Sequence, residues 1–527
     1  MIIVLFSRPE FEYDVHSLVK AFFPKEEVQM YYTCSRNEVS EQNLACAHHE
    51  ADDSLDQLMD EASAVLSVNY HGLTQSLMHY TCLGEQQEHC IELSLQSREP
   101  LRLESELFMV DYEDRLDVKN QLKQKLYDLL AKSTGRELPW GTLTGIRPTK
   151  IPMKMLEDGM EVADIRKQMK QTYLASDAKI DLSIEIAQRE SHLLDQIDYA
   201  NGYSLYIGIP FCPSTCAYCS FTSYPLFTWR NRVADYLDAL EKEIDYVANR
   251  FYHKKLNSIY IGGGTPTTLE PYQLDRLIRK IKCSFDLSYC VEFTVEAGRP
   301  DSITREKLCT LKKNGIDRIS VNPQTMKQAT LDLIGRHHTV EQTVESFRLA
   351  REIGFENINM DLIIGLPEED MEDVRHTMEV IEELHPDNVT IHSLAVKRAA
   401  RMTIFKDRYQ DMQMVNTQEH MDLCEEYCRR MGLTPYYLYR QKGMAGNMEN
   451  DGYAAEGKAG VYNILIMEEK HNIIALGAGA STKRVWQEEN PDGTHRIERC
   501  ENVKDVGIYI SRIDEMIRRK TELFALK

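Results

Sequence analysis

Three cysteines stand together in Ile209-Pro210-Phe211-Cys212-Pro213-Ser214-Thr215-Cys216-Ala217-Tyr218-Cys219, at a spacing of Cys-x3-Cys-x2-Cys. Three thiolates on one loop can ligate three irons of a [4Fe–4S] cluster, whose usual full set is four cysteines. The fourth iron is then open to a small-molecule ligand, and an open position separates a reactive metal centre from a structural one. Other chemistries account for less of the pattern. A structural zinc needs a fourth Cys or His at paired spacing, and the next cysteines, Cys283 and Cys290, fall in a later part of the chain. A redox Cys-x-x-Cys uses Cys216 and Cys219 and leaves Cys212 without a role. Core packing of three cysteines is at odds with a proline-containing loop.

Further along lies Ile261-Gly262-Gly263-Gly264-Thr265-Pro266. Consecutive glycines let the backbone approach a ligand and leave N–H groups for it, or they mark only a tight turn. Glu296, Gln324, Arg336 and Asp361 follow at intervals, Glu296 in Val295-Glu296-Ala297-Gly298-Arg299-Pro300 and Asp361 inside the apolar run Asn359–Leu366. A carboxylate in an apolar strand is costly unless paired or ligand-bound. Singly, each of the four fits a satisfied structural role. Together they suit a ligand with hydroxyls, an ammonium and a carboxylate.

These residues need a frame that brings them to one place. Apolar, β-rich runs occur at Leu205–Ile209, Ser258–Ile261, Val291–Val295, Arg318–Asn322, Asn357–Ile364 and Asn388–Leu394. Helical periodicity fills the gaps, with Val233, Tyr236, Leu240, Ile244 and Val247 on one face, then Val340, Val344 and Phe347, then Val374, Met378, Ile381 and Leu384. Such alternation implies parallel strands joined by right-handed crossovers. Six units predict an α/β fold built on a partial (β/α)6-type barrel, with chemistry at the C-terminal ends of the strands. Each motif above sits at such an end. Residues 201–400 form this barrel. Residues 1–135 predict a small α+β domain of unknown role, with strands at Met1–Phe6, Ala64–Val68 and Ile91–Leu95 and helices at Tyr13–Phe23 and Asp117–Ala131. Residues 136–200 predict a helical connector whose Pro139–Pro148 stretch is dense in turn formers; Trp140 and Arg147 there are assigned to a packed elbow. Residues 401–527 predict a mostly helical or mixed C-terminal cover. Cys424 and Cys428, four apart between Met421 and Met431, are assigned to core. The His337-His338 pair lacks a further ligand at metal spacing.

Composition narrows the classes. The 527 residues carry 62 basic and 83 acidic side chains, a net charge of −21. That balance argues against nucleic acid as a partner. No apolar run approaches the ~18 residues that suggest a membrane span. Ile2–Phe6 followed by polar residues reads as a first strand rather than a signal peptide, so the expected compartment is the cytoplasm. There, the 13 cysteines are not expected to pair as disulfides.

The cysteine loop after the first barrel strand resembles that of the radical S-adenosylmethionine superfamily. The wording of the motifs narrows the resemblance to the oxygen-independent coproporphyrinogen III oxidase family, and most to its HemZ-like branch. It is carried by Tyr206–Phe221, Gly-Gly-Gly-Thr-Pro, Glu296-Ala-Gly-Arg-Pro, Arg318-Ile-Ser-Val-Asn-Pro-Gln-Thr-Met, Gly335-Arg-His, Asp361-Leu-Ile-Ile-Gly-Leu-Pro, Tyr437–Lys442, Ala475–Ala480 and the connector Gly141–Lys150. The resemblance implies that Cys212, Cys216 and Cys219 hold a [4Fe–4S] cluster whose open iron is chelated by S-adenosylmethionine. It implies that Tyr206, Gly263, Gly264, Thr265, Glu296, Gln324, Arg336, Asp361 and Ala395 contact one or two S-adenosylmethionine molecules. The implied activity is coproporphyrinogen dehydrogenase. A 5′-deoxyadenosyl radical takes one hydrogen atom from the β-carbon of each of two propionate side chains of coproporphyrinogen III in turn, and loss of carbon dioxide and one electron from each leaves the vinyl groups of protoporphyrinogen IX. A reducing electron-donor protein is implied as partner, and Lys397, Arg398, Arg401, Arg440 and Lys442 are candidate counter-charges for the anionic tetrapyrrole.

Three positions depart from the family. The oxidases carry a cysteine where this chain has Phe221 and a His where it has Gly208; the heme-chaperone branch carries a His where it has Tyr462. Two alternatives therefore stand beside the oxidase: a heme-binding or heme-delivering protein, and a radical enzyme acting on another tetrapyrrole.

Overall fold

The structure, a computed structural model, describes residues 1–33, 49–50, 58–59, 61–71, 89–98, 101–409, 411–441, 444–490 and 495–525. The chain forms two compact units, Met1–Gly145 with Met160–Asp181, and Ile146–Gly159 with Leu182–Lys527. Among the described residues no helix is long and apolar enough to cross a membrane.

The first unit is built on strands β1 (Ile2–Phe6), β2 (Val28–Tyr32), β3 (His49–Glu50), β4 (Ala64–His71), β5 (Cys90–Arg98) and β6 (Leu101–Met109), in the order β3-β2-β1-β4-β5-β6. The first four run parallel and the last two antiparallel to their neighbours. Alternation decides which face is covered: Leu66, Val68, Ile91, Leu93 and Leu95 join Val15, Leu18 and Phe22 of helix Glu12–Phe22 and Leu122, Leu126 and Leu130 of helix Arg115–Thr134 in one core. That second helix has both end signals. Asp114 accepts from the Asp117 N–H at 3.0 Å, and Gly135 closes it at φ +66°. Trp140 is fully buried.

The second unit continues with β7 (Gly202–Ile209), β8 (Phe211–Cys212), β9 (Tyr224–Pro225), β10 (Lys255–Gly263), β11 (Glu292–Gly298), β12 (Arg318–Val321), β13 (Ile358–Ile364) and β14 (Asn388–Ser393), then β15 (Thr434–Tyr439), β16 (Asn450–Ala454), β17 (Asn472–Leu476), β18 (Ser481–Glu489) and β19 (His495–Glu501). The main sheet has the order β15-β16-β14-β13-β12-β11-β10-β7-β17-β18-β19. The six barrel strands expected from periodicity are present and parallel, in chain order from β7 to β14. The C-terminal region is mixed, as expected, and does more than cover. It adds β17 as a further parallel strand beside β7, sets β16 antiparallel beside β14, and sets β15 antiparallel beside β16 at the sheet edge.

The strands bury two chemically different faces. Leu205, Ile207, Ile259, Ile261, Phe293, Val295 and Ile319 share a core with the crossover helices, including Tyr236, Leu240, Ile244 and Val247 of Val233–Phe251. The alternate residues are polar or glycine. In register, Tyr206, Tyr260, Thr294 and Arg318 form one layer; Gly208 and Gly262 follow on β7 and β10, and Glu296, Ser320, Asn359 and Asn388 on the other strands. Closed barrels fill this position with branched apolar layers. Here the inner face is lined for a polar ligand. Cys424 and Cys428 lie in the core through helix Gln418–Arg430, as their spacing suggested.

Candidate active site at the strand ends

The cysteine loop leaves β7 at Ile209 and is pinned at several points. β8 pairs with β9 through Phe211–Tyr224 and Cys212–Pro225. Ala217 N–H donates to Ile334 O at 2.8 Å, Ser214 Oγ to Gly335 O at 3.0 Å, and Met402 N–H to Ala217 O at 2.9 Å. Cys212 and Cys216 are buried and Cys219 half-buried. Burial pushes the Cys212 thiol up to about 12 and raises Cys219 as well. Such thiols ionise only when a cation or metal compensates.

Donors surround these sulfurs. Thr265 Oγ1 lies 3.5 Å from Cys212 Sγ. Arg299 Nη1 is 3.8 Å and Arg336 Nη1 4.0 Å from Cys216 Sγ. Arg336 also donates to Tyr218 Oη at 3.2 Å and to the Asn322 carbonyl. Three thiols on one rigid loop, faced by two buried guanidinium groups, fit an anionic iron–sulfur cluster. Among the described residues no group of three or more His, Cys, Asp or Glu is gathered about a single ion position.

The glycine turn packs directly beneath this loop. Gly264 N–H donates to Ile209 O and Thr265 N–H to Phe211 O, at 2.8 and 2.7 Å. A Cβ on Gly264 would fall 2.7 Å from Phe211 O, 2.9 Å from Ile209 O and 3.0 Å from Cys212 Sγ. Gly263 holds φ +106°, a conformation that L side chains rarely adopt. The glycines thus serve the cysteine loop by close approach, and they leave a shelf beside Glu296.

Glu296 stands over that shelf on β11. It accepts from Tyr260 Oη at 2.5 Å. Burial and the neighbouring Asp361 charge raise its carboxyl to about 7, against the Tyr260 hydrogen bond and the Arg318 charge. Tyr206, Tyr260 and Tyr462 form a three-ring cluster, with ring centroids 6.3 Å apart for Tyr206–Tyr260, 4.7 Å for Tyr260–Tyr462 and 6.3 Å for Tyr206–Tyr462. Tyr462 comes from helix Val461–Glu468 and donates its backbone N–H to Glu292 at 3.1 Å. On the far side, Asn359 Nδ2 donates to Asp361 at 2.7 Å. Gln324 N–H donates to Asp361 O at 3.0 Å, with Gln324 held at φ +72°. The side-chain oxygens of Gln324 and Asn322 and Nε of Arg336 are buried without a described hydrogen-bond partner. Buried polar atoms of this kind point to a bound ligand or ordered water.

The structure therefore gathers Cys212, Cys216, Thr265, Gly263, Gly264, Tyr206, Glu296 and Arg336 around one mouth, with Gln324 just beyond β12 and Asp361 in the middle of β13 rather than at its end. Ala395 follows β14, and its described contact is a bridge to Met444. Of the candidate counter-charges, Lys397, Arg398 and Arg401 are exposed. Arg440 is buried and donates to Asn447 at 2.7 Å, and Lys442 lies outside the described residues. Arg299, Arg318 and Tyr260 were not singled out by spacing. Arg318 is a buried guanidinium in the polar inner layer, and its Nε and Nη2 have no described partner. An arginine at a strand start carries no periodic signal.

The model of the radical SAM superfamily matches residues 206–381. The chain is 41% identical over 424 residues, 79% of its own length and 84% of the relative's, to the oxygen-independent coproporphyrinogen-III oxidase-like protein HemZ of Bacillus subtilis. It is 41% identical over 198 residues, 37% of its length and 51% of the relative's, to the heme chaperone HemW of the same organism. To the oxygen-independent coproporphyrinogen III oxidase of Escherichia coli it is 32% identical over 226 residues, 42% of its length and 48% of the relative's.

Proposed function

Because this chain belongs to the radical S-adenosylmethionine superfamily and, within it, to the oxygen-independent coproporphyrinogen-III oxidase-like proteins that include HemZ, we propose that it is an anaerobic tetrapyrrole decarboxylase whose substrate is coproporphyrinogen III. The observation that carries this reading is the seating of the three-cysteine loop on the Gly262–Gly264 turn at the mouth of a polar-lined parallel sheet. When bound, the cluster and S-adenosylmethionine would supply a one-electron cleavage that yields a hydrogen-abstracting radical; each of the two propionates would then lose carbon dioxide and pass one electron to an acceptor.

The chain's own residues hold and shield. Cys212, Cys216 and Cys219 each supply one thiolate. Tyr206, Gly263, Gly264, Thr265 and Glu296 form one wall for S-adenosylmethionine, with Glu296 taking the ribose hydroxyls. Gln324, Arg336, Asp361 and Ala395 form the facing wall, and where a second molecule binds, Gln324 and Arg336 serve either of the two. Holding the reacting carbon beside the radical source in a water-poor lumen is the protein's main contribution. A reducing donor protein delivers the electron. The described cysteines are all unpaired, which suits a reducing cytoplasm.

Heme binding and delivery is the second reading. It is favoured by the similarity to the heme chaperone and by Phe221, which stands where the oxidases carry a cysteine. Two experiments separate the readings. Cys216→Ala, folded by circular dichroism and reconstituted anaerobically, is expected to lose all turnover of coproporphyrinogen III; full turnover by that variant overturns the proposal. A spectroscopic titration with heme is expected to show no stoichiometric complex, whereas a one-to-one complex in a protein without turnover establishes the second reading.

A further inference from the structure

Arg299 follows β11, three residues beyond Glu296, and its side chain is only 4% exposed. Nε and Nη2 meet the Asp301 carboxylate at 3.0 and 2.6 Å. Nη1 donates to Ser214 O at 2.9 Å and to Ser214 Oγ at 2.8 Å, and lies 3.8 Å from Cys216 Sγ. One side chain thus clamps the cysteine loop from inside and aims a fixed positive charge at one of its sulfurs. A second buried guanidinium, Arg336, lies 4.0 Å from the same sulfur. Asp301 is 20% exposed and bonds Arg299 from the side away from Cys216.

A fixed charge in a buried site is poorly screened. Cluster reduction adds one negative charge to the ligated loop. A cation held against a ligating sulfur stabilises the reduced form over the oxidised one, and net charge and hydrogen bonds to sulfur are the usual controls of cluster potential. Asp301 acts with the opposite sign because it cancels part of the Arg299 charge. We propose that the Arg299–Asp301 pair sets the reduction potential of the cluster bound by Cys212, Cys216 and Cys219, with Arg299 raising it and Asp301 lowering it. Arg299 is a positioning residue that acts through Cys216. The inference rests on the cluster reading above.

The test uses the full chain, reconstituted anaerobically with iron and sulfide, as wild type, Arg299→Met, Arg299→Lys and Asp301→Asn. Iron and acid-labile sulfide are measured first, then the reduced cluster is titrated against poise by paramagnetic resonance without S-adenosylmethionine or substrate. Arg299→Met is expected to lower the reduced-to-oxidised ratio at fixed poise about tenfold, which for one electron is about 59 mV. Asp301→Asn is expected to raise the ratio, and Arg299→Lys to lie between wild type and Arg299→Met. A merely structural role moves Arg299→Met and Asp301→Asn the same way or moves neither. Shifts of the same sign, or no shift at full iron content, overturn the proposal. If Arg299→Met fails to retain iron, Asp301→Asn decides alone, since a fall or no change in its ratio overturns the proposal. A wild type that assembles no cluster removes the underlying reading, and the iron measurement reveals that before any potential is read.

Discussion

Glu296 shows what a single side chain contributes to this site. Burial and Asp361 hold its carboxyl near pH 7, so in the free protein it is mostly protonated at pH 6 and mostly ionised at pH 8. A ligand whose hydroxyls donate to the ionised form sees its binding-competent partner at only a fraction of the protein at the lower pH. S-adenosylmethionine affinity, measured by calorimetry on the anaerobic protein, is expected to be about tenfold weaker at pH 6 than at pH 8. Glu296→Gln is expected to remove that dependence and weaken binding at pH 8. Equal affinity at both pH values in the wild type contradicts the role given to Glu296. Gly264 is the second such residue. A Cβ there meets two carbonyl oxygens and Cys212 Sγ at 3.0 Å or less, and none of the three can retreat without moving the cysteine loop. Gly264→Ala is expected to destabilise the fold by roughly 1–3 kcal/mol and to cut iron retention after reconstitution. Full iron content in that variant argues that the loop is not seated as described.

At the scale of elements, the C-terminal segments hold the first barrel strand in place. Lys520, on helix Ile513–Ala525, pairs with Glu243 at 2.6 Å, and neither side chain is exposed. Glu243 also accepts from Asn502, Tyr509 and the Gly477 N–H. Gly477 and Ala478 abut Gly208, whose carbonyl accepts from Tyr236. Removing one partner of a buried pair leaves an uncompensated charge. Lys520→Met is expected to cost about 3–5 kcal/mol in chemical denaturation, and Lys520→Met combined with Glu243→Gln to cost less than the single change. A single variant of wild-type stability contradicts this account of the anchor. His471, just before β17, gives a pH signature. It bonds Ser204 at 2.9 Å, and burial pushes its imidazole down to about 3. An unfolded histidine titrates near ~6.5, so below that pH the unfolded chain takes up a proton that the folded chain refuses. Stability is full above ~6.5 and falls as the pH drops toward 3, by up to ~1.4 kcal/mol per unit. Between pH 7.5 and 5.0 the wild type is expected to lose about 2 kcal/mol more than His471→Gln. Parallel losses in the two proteins rule this histidine out as the source.

At the scale of the whole molecule, the βα period was legible because each parallel strand is a short apolar run and each crossover helix repeats its own buried face. Cys212, Cys216 and Cys219 were legible because their spacing leaves few other uses. The partnership of β17 with β7 was not legible, since it joins Asn472–Leu476 to Tyr203–Ile207 across more than half the chain and leaves no local pattern. Arg299 and Arg318 were missed for a different reason. An arginine in a turn or at a strand start reads as solvated, and only the fold shows that both are buried. The net charge of −21 likewise conceals a lumen and a cysteine loop faced by buried cations. Removal of two carboxyl groups from a porphyrinogen by this arrangement is checked by mass analysis of products after anaerobic incubation of the reconstituted protein with S-adenosylmethionine, a reductant and coproporphyrinogen III. Loss of two carboxyl groups alongside 5′-deoxyadenosine is the predicted result, and 5′-deoxyadenosine formed beside an unchanged porphyrinogen would contradict it.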